Sequence, residues 1–173
     1  MSMIIVSSAQ HTKSALERYD PGFVISLVDE NEFEREHFDR FRPDKFLQLT
    51  LDCSARNFDE KVAKAVRSIV EVARAGEYGK NASAPILIHC HEGVSRSIAA
   101  AYIFLCAVKN DSCEKQLIQR IRDAAPHADP NIMMVAAADK LLERSDRMVE
   151  AVLDLTPCSA GAVDEAVALQ VNA

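Results

Sequence analysis

Pro85-Ile86-Leu87-Ile88-His89-Cys90-His91-Glu92-Gly93-Val94-Ser95-Arg96-Ser97-Ile98 is the stretch on which the reading of this chain turns. Its first four residues form an apolar run of strand length. From Ile98 to Leu105 the sequence is apolar on nearly every face, as a helix packed on both sides requires. A short polar loop with one glycine joins the two. A strand-loop-helix turn of this kind directs several backbone N–H groups into one concavity, and the positive end of the expected Ser95–Val108 helix adds to the field there. Gly93 permits the tight backbone path.

Cys90 opens that loop and Arg96 closes it. A planar guanidinium at that spacing can fold across the mouth of the loop and bind two phosphate oxygens at once, which lysine cannot do. The N–H groups that hold an anion also stabilise negative charge on sulfur, so Cys90 is the expected nucleophile.

Outward from the loop, further strand-length runs occur at Ile4-Ile5-Val6, Phe23-Val24-Ile25 and Phe46-Leu47-Gln48-Leu49. Helical patterns separate them, from Thr12 to Tyr19, within Asp29–Arg42, and from Asn57 to Gly76. Val62, Ala65, Val66, Ile69 and Ala73 share one face of the last, with Asn57 and Glu60 spaced as a capping box. Two more helices are expected, from Asp111 and from Asn131. Together these predict an α/β fold with a mainly parallel central sheet of four or five strands flanked by helices. Residues 1–155 form the expected domain. Residues 156–173 read as a tail in which Ala162 to Val171 can form a short last helix.

Composition narrows the function. The chain has 173 residues, a formal charge of −6 and five cysteines without a Cys-x-x-Cys pair. The charge argues against nucleic-acid or anionic-membrane partners, which need extended basic surfaces. No run is long enough to span a bilayer and the N-terminus lacks a secretion signal, so the cytoplasm is expected. An odd set of thiols suits a reducing compartment. Cys106 and Cys113 lack histidines at ligand spacing, so no metal is expected. Cys53 reads as a packed thiol, with trapping of oxidised Cys90 as the alternative. Nucleotide-loop, zinc-protease and serine-hydrolase signatures are absent.

His89-Cys90, five residues, then Arg96-Ser97 resembles the signature of the protein tyrosine and dual-specificity phosphatase superfamily. The resemblance implies hydrolysis of phosphate monoesters through a phosphocysteine on Cys90, without a cofactor and inhibited by vanadate and similar anions. It implies phosphate binding by His91, Glu92, Gly93, Val94, Ser95 and Arg96. It gives Ser97 a hydroxyl bond to the cysteine sulfur and sets His89 behind the loop. The segment Ala124 to Asn131 resembles the proline-asparagine turn of dual-specificity phosphatases, in which the asparagine braces the phosphate loop, so Asn131 is a supporting residue.

The leaving group needs a proton donor. Asp52 follows the third strand and so falls at the carboxyl edge of a parallel sheet, beside Cys90. It is the first candidate, and Asp129 is the alternative. Asp59, in the first turn of a helix, reads as a dipole partner. Glu92 in the loop disfavours highly anionic lipids, which points to phosphorylated protein over other phosphomonoesters. Two other readings keep the anion site: a phosphopeptide-binding scaffold without turnover and a rhodanese-like sulfurtransferase.

Overall fold

The computed structural model describes residues 3–28, 38–51, 58–76, 84–109, 112–156 and 165–171. In chain order the elements are β1 (Met3–Ser8), α1 (Thr12–Tyr19), β2 (Phe23–Leu27), a short 3-10 turn (Pro43–Lys45), β3 (Phe46–Gln48), α2 (Phe58–Ala75), β4 (Ile86–Cys90), α3 (Arg96–Val108), α4 (Glu114–Ala124), α5 (Ile132–Leu141), α6 (Arg147–Leu153) and β5 (Val167–Gln170). The sheet order is β3-β2-β4-β1-β5. The first four strands are parallel, and β5 runs antiparallel to β1.

Both faces of the parallel strands are covered, which is why they read as continuous apolar runs. On one face Ile4, Val6, Ile25, Ile86 and Ile88 pack with Val62, Val66 and Ile69 of α2 and with all of α3 from Ile98 to Ala107. On the other, Ile5, Val24 and Leu87 pack with Ala15 and Leu16 of α1 and with Phe38. The α2 face expected from periodicity is the buried one. Gly76 follows that helix with φ of 68°, a left-handed conformation suited to glycine. Asn57, the other half of the expected capping box, lies outside the described residues, as do 29–37 of the expected Asp29–Arg42 helix. Among the described residues no helix is long and apolar enough to cross a membrane.

The C-terminal segment departs from expectation. Val167–Gln170 is a strand and not the end of a helix from Ala162, because its backbone completes the open edge of β1. Leu169 and Val171 enter the core beside it, so this part of the expected tail packs with the domain.

The helical layer is tied by a buried ionic knot. Arg144 Nη1 donates to Glu114 Oε1 at 3.0 Å, and its Nη2 donates to the Cys106 carbonyl at 2.7 Å. Arg147 Nε reaches the same Glu114 oxygen at 3.2 Å. The Asp139 carboxylate accepts the backbone N–H groups of Asp146 (2.7 Å) and Met148 (2.8 Å), so a side chain of α5 caps α6. These bonds hold Glu143, Ser145 and Asp146 at positive φ of 55°, 53° and 66°. Burial alone would raise the Glu114 carboxyl, but a backbone hydrogen bond and the Arg147 and Arg144 guanidiniums outweigh it and hold it below its ordinary value.

Removing Arg144 leaves a buried carboxylate with one fewer partner. Arg144→Ala is expected to lower stability by about 3 kcal/mol, read from urea unfolding. Because the Glu114 carboxyl is depressed, the knot contributes fully above the ordinary carboxylate range and its contribution fades as pH falls through it. The deficit of Arg144→Ala should therefore shrink in acid.

Candidate active site

Cys90 is the last residue of β4 and lies between Ser8 of β1 and Leu27 of β2 in the sheet register. It stands at the carboxyl edge of a parallel sheet, where α/β proteins place ligands. Loop 91–95 follows, and α3 starts at Arg96. The Cys90 side chain is buried. Its Sγ accepts the backbone N–H of Gly93 at 3.2 Å and lies 3.1 Å from Ser97 Oγ. The Gly93 N–H and the Ser97 hydroxyl thus both meet the sulfur at the head of a buried helix.

The loop is held from outside by its carbonyls. Ala9 N donates to His91 O (3.0 Å), Asp129 N to Val94 O (3.0 Å) and Asn131 N to Ser95 O (3.3 Å). In a trans peptide the C=O and the following N–H point opposite ways. Carbonyls tied outward at His91, Val94 and Ser95 therefore turn the N–H groups of Glu92, Ser95 and Arg96 inward, to where an anion would sit. Gly93, at φ of 77°, packs directly on β1, and a Cβ there would meet Ser8 N at 2.8 Å. Glycine is required at this position on both counts.

The expected residues divide by position. His91 and Glu92 are exposed, Val94 and Ser95 are partly buried, and Arg96 is a partly buried residue on the first turn of α3. Asn131 braces the loop through its backbone N–H, while its side chain accepts Met134 N at 3.0 Å and caps α5. Asp129 is exposed in the same turn and its backbone N–H is spent on Val94. Asp52 and Cys53 lie outside the described residues. Asp59 is exposed in the first turn of α2. Among the described residues Cys90, Cys106 and Cys113 are free thiols, and burial pushes Cys106 up to about 12. No three His, Cys, Asp or Glu of the described residues are placed to hold a metal.

His89 lies behind the loop, buried, with its ring stacked on Phe38 at 5.2 Å and 12°. Burial lowers its imidazole to about 4, so the ring is neutral at physiological pH. Two further supports, Ser8 and the α1 entry, carry no signal legible before folding. Ser8 Oγ lies 3.0 Å from His11 Nδ1, and Thr12 Oγ1 donates to the Ser8 carbonyl at 2.8 Å, which fixes the backbone on which Gly93 rests.

Two measurements check this geometry. Gly93→Ala should destabilise the protein by about 1–3 kcal/mol and slow alkylation of Cys90, since the added methyl pushes the loop off β1. For His89 the folded value lies below the unfolded value of 6.5, so protons bind the unfolded chain first. Stability should be complete above pH 6.5 and fall by about 3 kcal/mol on the way to pH 4, a loss that His89→Gln should remove from urea-unfolding curves.

No family model and no curated protein sequence matches the chain. Solved structures do match in shape. The Cydia pomonella PTP-2 phosphatase has a TM-score of 0.62 at 18% identity, covering 95% of this chain and 92% of that one. Human DUSP28 has 0.51 at 18%, covering 83% and 93%. PTPMT1 in complex with PI(5)P has 0.55 at 15%, covering 82% and 90%. With its five-stranded sheet, six described helices and loop between β4 and α3, the chain has the fold of these dual-specificity and tyrosine phosphatase structures.

Proposed function

We propose that the protein hydrolyses phosphate monoesters, with phosphorylated protein as the substrate class and the cytoplasm as its location. Cys90 Sγ attacks phosphorus and the P–O bond to the leaving group breaks, giving a phosphocysteine. Arg96 and the inward N–H groups of the loop hold the three equatorial oxygens. Asp52 gives its proton to the departing oxygen, then takes one from the water that attacks phosphorus in the second step. The S–P bond breaks, inorganic phosphate leaves and the Ser97 hydroxyl receives charge on the departing sulfur.

The observation that carries this reading is the convergence of the Gly93 N–H and the Ser97 hydroxyl on a buried Cys90 sulfur at the head of α3. An inert buried thiol would need no such convergence at the head of a helix. The exposed Glu92 at the loop repels substrates with several phosphates and supports a phosphoprotein over a polyphosphorylated lipid.

Release of p-nitrophenol from p-nitrophenyl phosphate tests the reading. Expected is vanadate-sensitive turnover that Cys90→Ser abolishes. Phosphopeptide binding without release across mildly acid pH would overturn it in favour of a scaffold, and consumption of thiosulfate alone would favour sulfur transfer. On a substrate with a poor leaving group, Asp52→Asn should reduce kcat by about two to four orders of magnitude. An unchanged rate would move the acid to Asp129.

A further inference from the structure

Four polar side chains cross the parallel sheet in one register row. Ser7 of β1 pairs with His89 of β4, His89 with Ser26 of β2, and Ser26 with Gln48 of β3. The row lies one residue before the row of Ser8, Cys90 and Leu27, on the opposite face of the sheet. Ser26 is fully buried and His89 nearly so. Both His89 ring nitrogens, Ser26 Oγ and Gln48 Oε1 are buried and lack a hydrogen-bond partner among the described residues. Buried polar atoms are seldom left so, and these fall on adjacent strands about 5 Å apart.

Gln48 sets the polarity at one end of the row. Gln48 Nε2 donates to the Val28 carbonyl at 2.5 Å, so the amide cannot be reversed without setting two oxygens together. Gln48 Oε1 is therefore a buried acceptor. Ser26, with one hydroxyl hydrogen and two lone pairs, can meet both that oxygen and His89 through bridging water. A neutral imidazole has one N–H and one bare nitrogen. A bridge from one ring nitrogen to Ser26 would hold the ring against Phe38 in a single tautomer.

We propose that Ser26 and Gln48 are positioning residues: a water-bridged relay links a His89 ring nitrogen, Ser26 Oγ and Gln48 Oε1 and fixes the imidazole behind Cys90. His89 is bonded to Cys90 through one peptide, so a fixed ring fixes the start of the loop that holds the sulfur. The inference rests on Cys90 as the nucleophile, but its readouts need neither substrate nor turnover. Its failure is thus distinct from that of the hydrolysis reading.

The experiment uses full-length protein with 15N-labelled histidine. His89 is assigned among the five histidines by loss of its signal in His89→Gln. In the native protein its two ring nitrogens should show well-separated shifts, one protonated and one bare. In Ser26→Ala the two shifts should move toward a common average, and alkylation of Cys90 by iodoacetamide at pH 7 should slow about five-fold, the factor carried by one ordinary hydrogen bond. Ser26→Thr, which keeps the hydroxyl, should restore both. Gln48→Leu, at a half-buried position of an edge strand, should reproduce the Ser26→Ala shifts and serves as the reading if Ser26→Ala does not fold. A merely structural serine would change the melting temperature and leave the ring shifts as they are. Averaged shifts in the native protein, or variants with native shifts or a native alkylation rate, overturn the proposal.

Discussion

The contact between Gly93 and the end of β1 is the constraint from which the rest of the site follows. Only a residue without a side chain can lie on Ser8 N at that distance and take a left-handed φ. Once it does so, its own N–H meets the Cys90 sulfur. The carbonyls on either side are then free to be claimed by the β1–α1 turn and by the turn before α5. Electrostatics at the sulfur is thus set by backbone geometry, and the geometry is set by packing against a central strand.

That packing needs an unyielding frame, and the fold supplies it from two sides. Ser8 is bound through His11 and Thr12 at the entry to α1. The turn from Asp129 to Asn131 is bound to α5 by the Asn131 cap, and α5 to α6 by Asp139. Arg144 then joins the far end of α3 to α4 through the Cys106 carbonyl and Glu114. Both ends of the helix whose dipole serves the site are therefore anchored, one by backbone and one by buried charge.

What could be read in the sequence was what depends on near neighbours. The β4 run, the all-apolar α3 and the glycine between them carry local periodicity and turn chemistry, and from these the strand-loop-helix follows. The α2 face was legible for the same reason. Val167-Ala168-Leu169-Gln170 was misread because an alanine-rich stretch suits a helix as well as a strand, and pairing with distant β1 decided it. Arg144 and Glu114 are 30 residues apart and pair only once the turn between α5 and α6 packs on α4. The row of Ser26, His89 and Gln48 exists only in register, which no single strand reveals. Asn131 was legible as a brace, but the bond comes from its backbone and not from its amide.

The pairing of β5 with β1 sets Met3 opposite Gln170. Residue 3 and residue 170 thus lie at the same end of an antiparallel ladder. A pull applied to these two points loads its hydrogen bonds one after another, as a zipper is opened, and not all together in shear. β5 would peel away at low force while β1, still paired to β4 along its other edge, kept Ser8 under the loop. The molecule is mechanically soft at the rim of its sheet and stiff at the strand on which the cysteine loop rests.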